Sequence, residues 1–286
     1  MANGTAGLTL LDSEVPVFDI SIFESRPLFP SQTWLACHEV GAGACPAKMP
    51  WTDIWLTNHI AQAVIAAALV ILFWLIVTHR PKIVPTRRQW AGEFLYNMLR
   101  NGIGRDIIGD NYHKYVPWLV ALFSFIVINN LFGETFVFMF PTFSKVGFAW
   151  ALALLTWVLY NAVGIKTHGL RRYLKLQTIP DGVPKALLIL VLPLEILSNF
   201  ITRPITLALR LFANMLAGHL LVVIFVTGGW FMLSQVKNLA INAAGVVALI
   251  MSFAIFALEL FVGFLQAYIF TVLTAQYVSS AQAEAH

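Results

Sequence analysis

The chain reads as an all-α, polytopic membrane protein with about five membrane helices and one amphipathic surface helix. The last two membrane helices form a long, strongly tilted hairpin. Three observations carry this reading. First, 59% of the 286 residues are hydrophobic and only 11% are charged, against about 25% charged in a soluble domain. Second, several uncharged runs reach the roughly 20 residues that span a bilayer. Third, the last two apolar runs are far longer than one crossing needs.

The composition also excludes functions. A net charge of +4 is too small to suggest a nucleic-acid partner, so the basic residues are read as topology markers. Neither a P-loop pattern nor a metal-ligand cluster is visible, so no nucleotide site, catalytic site, metal or cofactor is expected. Residues 1–51 contain only Arg26 and Lys48 as basic residues, with no short apolar run before a small-residue cleavage site. They are expected to form an extracytoplasmic N-terminal segment, not a secretory signal.

The membrane domain is expected over residues 52–280. Its first span is the uncharged run 54–78. A basic stretch follows, in which Trp90, Phe94, Leu95, Met98, Ile103 and Ile107 recur at helical spacing between Arg87, Arg88, Glu93, Arg100 and Arg105. Residues 86–108 therefore predict a helix lying on the membrane surface; the alternative is a small helix packed on the loops. The second span is 115–133. A short connection turns at Pro141, and the third span is 146–165.

Residues 186–231 then run for 46 residues with Glu195, Arg203 and Arg210 as their only charges. As one helix this is about 69 Å long, against a hydrocarbon core of about 30 Å. Such a helix tilts by about 60° or breaks near Pro193 or Pro204. Since no polar loop adjoins either proline, one bent, strongly tilted helix is expected. Residues 238–279 repeat the pattern with Glu259 as the single charge, and 281–286 form a short tail. Ordinary membrane helices tilt by about 20°, so something unusual is expected to hold this hairpin down.

Charge asymmetry sets the orientation. Arg80, Lys82, Arg87, Arg88, Arg100, Arg105 and Lys114 lie between the first two spans, and Lys166, Arg171, Arg172, Lys175 and Lys185 between the third and fourth. The opposite side carries Arg26, Lys48, Lys145 and Lys237, so the balance is twelve against four. The N-terminus is thus expected outside and the C-terminus in the cytoplasm. Cys37 and Cys45 then face the exterior, where they form either a disulfide or two free thiols.

The polar residues inside the apolar helices point to function. Glu195, Asn199, Thr202, Thr206, Arg210 and Asn214 follow one another at three- or four-residue steps and make one stripe. Such a stripe faces protein, water or an ion sooner than lipid. In the last helix Ser252, Phe256, Glu259, Gly263 and Gln266 share a face. The numbers of Arg210 and Gln266 add to nearly the same total as those of His219 and Glu259, so both pairs fit one antiparallel register. Bland readings exist: Arg203 as a helix-end residue reaching the cytoplasmic interface, Glu195 as an interfacial charge, and His219 with Glu259 as a static bond between helices. Arg210 is harder to explain that way. A guanidinium at membrane depth costs at least about 2.5 kcal/mol and stays charged at any biological pH. No acid of this chain lies at its level, so a carboxylate from another subunit is expected.

The segment from Pro204 to His219, PITLALRLFANMLAGH, resembles the signature of subunit a of the bacterial F-type ATP synthase. The segment from Glu259 to Thr274, ELFVGFLQAYIFTVLT, and Asn129-Asn130-Leu131-Phe132-Gly133 are similar to the same family. The likeness covers residues 54–280. It implies a stator ion-channel subunit in the plasma membrane, giving a rotating c-ring two proton half-channels and coupling proton flow to ATP synthesis. By this resemblance Arg210 is the stator charge facing the ring, with Asn214 and Gln266 beside it. His219, Glu259 and Asn130 would line the outer half-channel, and Thr206, Thr202 and Glu195 the inner one. The implied partners are the c-ring, the peripheral-stalk subunit b, membrane lipid, and protons in preference to sodium. Two departures stand out: Glu195 lies one residue farther from Arg210 than in some members, and Gly133 stands where some members carry an acid. A self-contained secondary transporter is the alternative, but it calls for an internal repeat and a midplane substrate site. An intramembrane enzyme calls for a nucleophile or metal ligands on facing helices. Neither set is visible.

Overall fold

The computed structural model describes residues 57–79, 82–134, 142–178, 185–235 and 238–282. Cys37 and Cys45, with the segment around them, lie outside these residues. All regular elements among the described residues are helical. Five stretches are long and apolar enough to cross a membrane, so the architecture is that of an all-α multi-pass membrane protein.

Helix α1 spans Asn58–Thr78, and α2 spans Arg87–Leu99 and continues as a π-helical segment over Arg100–Ile108. Helix α3 is Val116–Glu134, α4 is Val146–His168 and α5 is Leu170–Thr178. Helix α6 runs from Lys185 to Ile196, passes through a π-helical segment Leu197–Thr202, and joins α7, Arg203–Gln235, without interruption. Helix α8, Leu239–Gln282, completes the hairpin. At 44 residues, α8 is about 66 Å long. It cannot stand upright within one bilayer, nor can the unbroken run α6–α7.

The widened turns lie between Pro193 and Pro204. Proline has no N–H for the ladder and its ring crowds the carbonyl four residues back. Within the widened segment the Thr202 hydroxyl donates to Leu197 O, five residues back, at 3.1 Å. The helix thus passes both prolines with a local change of pitch and no loop.

The core lies where α3, α4, α7 and α8 meet. Leu119, Phe123, Ile126, Ala149, Ala153, Leu207, Leu211, Met215, Ala267 and Phe270 form one buried cluster there. Several polar residues on these helices donate back to their own backbone. Asn129 donates to Phe125 O at 2.8 Å, Asn161 to Trp157 O at 2.7 Å, and Thr271 to Ala267 O at 2.8 Å. Bonding back by one turn is how an apolar helix carries polar side chains without exposing them to hydrocarbon.

The surface helix departs from the simple amphipathic expectation. Its apolar stripe splits. Trp90 and Phe94 are exposed and stacked on each other at 5.6 Å, while Leu99 and Ile103 join the core. The π-helical segment rests on the end of α8, where the Gln282 amide donates to the Tyr115 hydroxyl at 2.6 Å. This element therefore packs on the protein along half its length.

The helix runs through Arg203 without a break. Its guanidinium lies 5.3 Å over the Tyr277 ring, and one guanidinium nitrogen is buried without a hydrogen-bond partner.

Candidate functional site: a polar path across the hairpin

Helix α7 has two contrasting sides. Leu207, Ala208 and Leu211 are almost wholly buried, while Thr202, Thr206, Arg210, Ala213 and Ala217 are exposed. The three- and four-residue spacing puts these exposed residues on one open face. Arg210 makes no hydrogen bond, ion pair or ring contact with any described residue. Small residues one and two turns on leave room beside it for a closely packed neighbour. Asn214 is half-buried at the edge of this face.

The two hairpin helices have the register expected from the sequence. A side chain at Gly218 would strike the Glu259 carboxylate. One at Gly263 would sit 3.6 Å from Met215 Cε, and one at Gly245 would sit 3.0 Å from Met232 Cβ. The residue numbers of these three pairs add to nearly one total. Carried along the hairpin, that register sets Gln266 within a turn of the level of Arg210. Gln266 is buried, and its amide nitrogen has no partner.

Asn130 ties α3 to this site. It is buried and donates from Nδ2 to Gly263 O at 2.8 Å, leaving Oδ1 without a partner. Glu259 is 7% exposed, and neither of its oxygens accepts a hydrogen bond from a described residue, His219 included. Its carboxyl instead lies beside that of Glu134. Glu134 did not emerge from the sequence, where it reads as the first residue of a connection. In the structure it is the last residue of α3. His219 is half-buried, one residue beyond the Gly218–Glu259 contact.

The second polar group lies on the other side of Arg210. Asn199, within the π-helical turn, donates to Glu195 Oε2 at 3.1 Å and to Gln177 O at 2.7 Å. Its own carbonyl accepts from the Tyr160 hydroxyl at 3.1 Å. Thr206 donates to Thr202 O at 2.8 Å. On α5 the Tyr173 phenol donates to Asn161 Oδ1 at 3.0 Å. Burial pushes that phenol up, with Arg203 pulling the other way, so it stays a neutral donor. The expected single stripe divides at the π-helical turn: Glu195 and Asn199 turn toward α4 and α5, Thr202 and Thr206 lie on the open face with Arg210, and Glu259, Glu134, Asn130 and Gln266 form a separate group between α3, α7 and α8.

A multi-pass helical membrane protein with two separate polar groups and an unpaired arginine between them belongs among ion-conducting proteins. Comparison with known proteins narrows the class. The ATP synthase A chain family matches residues 60–279. The ATP synthase subunit a of Nocardioides sp. is 46% identical over 231 residues, covering 81% of this chain and 83% of the relative. That of Pseudarthrobacter chlorophenolicus is 41% identical over 84% of this chain and 91% of the relative. That of Frankia alni is 36% identical over 94% and 89%. The chain belongs to the ATP synthase A chain family and is a component of the membrane sector of the F-type ATP synthase.

Proposed function

We propose that this chain is the stator that gives a rotating c-ring two offset proton half-channels. The observation that carries the reading is Arg210, exposed and unpaired on the open face of α7 between two polar groups. A proton enters from outside past Asn130, the Glu134–Glu259 pair, His219 and Gln266, and neutralises a ring carboxylate. The neutral carboxyl turns through lipid for nearly a full revolution. It releases its proton on the inner side, near Thr206, Thr202 and Glu195. Arg210 stands between the two routes, favours the ionised carboxylate and repels a proton that would leak across. Two charges about 4 Å apart attract by roughly 4 kcal/mol at an effective dielectric of 20, before desolvation is subtracted. That biases deprotonation without trapping the rotor against a driving force of about 2.3 kcal/mol per proton per 100 mV. The peripheral-stalk subunit b, the bacterial plasma membrane, an external N-terminus and a cytoplasmic C-terminus complete the reading.

Inside-out membrane vesicles test it. Affinity purification of this chain from them is expected to bring down a c-ring and a nucleotide-hydrolysing head, and the vesicles are expected to acidify on adding ATP. In the same vesicles, residues 166–185 are open to added trypsin, while Cys37 and Cys45 are shielded from an impermeant thiol reagent. A chain recovered alone that still exchanges ions points to the secondary transporter, and the reverse labelling pattern inverts the orientation.

A further inference from the structure

A second set of unsatisfied polar atoms lies away from the family motifs, at the outer end of α1. His59 is 3% exposed, Gln62 2% and Thr142 0%. His59 Nδ1, Gln62 Nε2 and Thr142 Oγ1 are all buried without a hydrogen-bond partner. A buried donor or acceptor left unmade costs about 1–3 kcal/mol, and the usual remedy in a polar site is an ordered water, which makes about three hydrogen bonds. At the cytoplasmic end of the same helix the described polar side chains find partners: Trp74 donates to Ser124 at 3.1 Å and Thr78 to Trp74 O at 2.7 Å. The deficit is therefore confined to the outer end.

Geometry connects this end to the site. His59 and Gln62 are three residues apart and share one face of α1. That helix packs against α3 and the 142–144 turn, and the His59 ring lies 6.4 Å from Phe148 at the start of α4. The Trp74–Ser124 bond fixes the antiparallel register of α1 and α3. Followed outward, that register brings Gln62 to the level of Glu134. The Oε1 atom of Glu134 is likewise buried and unpartnered. The unsatisfied atoms thus continue from His59 to Gln62 and Thr142, then to Glu134 and its neighbour Glu259.

We propose that His59 and Gln62, with Thr142, hold the water through which a proton reaches Glu134, which makes them positioning residues of the outer path. The proposal rests on the proton-path reading above. Its test uses the whole synthase in native membranes. His59→Leu and Gln62→Leu are each expected to slow ATP-driven proton uptake several-fold at unchanged assembly, while His59→Gln, which keeps a hydrogen-bonding side chain, retains most of the rate. Gln62→Cys, in a chain whose natural cysteines are replaced by serine, is expected to react with a small water-soluble thiol reagent and to lose pumping when it does. Leucine variants that pump at the wild-type rate, or an introduced thiol that the reagent never reaches, overturn the proposal. If the leucine variants fail to assemble, the thiol result decides alone. Wild-type membranes that do not pump at all would instead remove the proton-path reading itself.

Discussion

Replacing Arg210 with alanine is expected to abolish ATP-driven proton pumping, lowering the rate by at least about 100-fold, or ~2.7 kcal/mol, while the chain still inserts and assembles. Arg210 lies on an exposed face and bonds to no described residue, so its removal costs the isolated fold little. What it removes is a fixed charge between two polar groups. Once the head is stripped off, the variant membranes are also expected to conduct protons passively faster than wild type, because nothing then separates the routes. Arg210→Lys keeps the charge but loses the planar two-pronged donor, and is expected to restore little. Coupled pumping by the alanine variant at wild-type expression would remove the role given to this residue.

The second large effect is expected at Gly218, where a hydrogen atom is all the structure admits. A Cβ there meets the Glu259 carboxylate, and its next neighbours are Cδ at 2.6 Å and Cγ at 3.1 Å of the same side chain. Gly218→Ala therefore pushes the carboxyl away from α7 and from Glu134. The glutamate can swing, so folding is expected to survive, but a proton-transfer group misplaced by about 1 Å can cost on the order of 100-fold. Pumping is expected to fall at least about tenfold, to a level close to that of Glu259→Gln. Shortening the acid by one methylene, Glu259→Asp in the Gly218→Ala background, is expected to recover part of the loss. Rates that simply multiply, with no recovery in the double variant, would mean that the contact does not govern the path.

Much of this site was legible in the sequence because charge inside an apolar helix is a strong signal. Arg210, Glu259 and Gln266 stand out against their surroundings, and antiparallel helices convert their spacing into a register that the contacts of Gly218, Gly263 and Gly245 reproduce. What was missed lacks such contrast. Glu134 follows a glycine at the end of an apolar run, where an acid reads as the beginning of a loop. A helix longer by one residue turns it into a neighbour of Glu259. Gly218 carries no side chain, so its importance lies in the space it leaves, which no pattern records. His59 and Gln62 fall at the start of a span, where polar residues are ordinary. The apolar stripe of the surface helix was visible, but its division between an exposed Trp90–Phe94 stack and a buried Leu99–Ile103 pair depends on the distant end of α8. The contact of Arg203 with the Tyr277 ring was not legible because the two residues are 74 apart in sequence.

The open face of α7 is expected to be turned toward a ring of carboxylate-bearing helices, and disulfide trapping measures this directly. In a synthase whose natural cysteines are replaced by serine, Ala213→Cys on the Arg210 face is paired with a cysteine next to the ring carboxylate, and Leu155→Cys, exposed on α4, serves as the control. After mild oxidation of native membranes, the Ala213→Cys chain is expected to form a covalent adduct with the ring subunit and the Leu155→Cys chain none. An adduct from position 155 and none from position 213 would contradict the account.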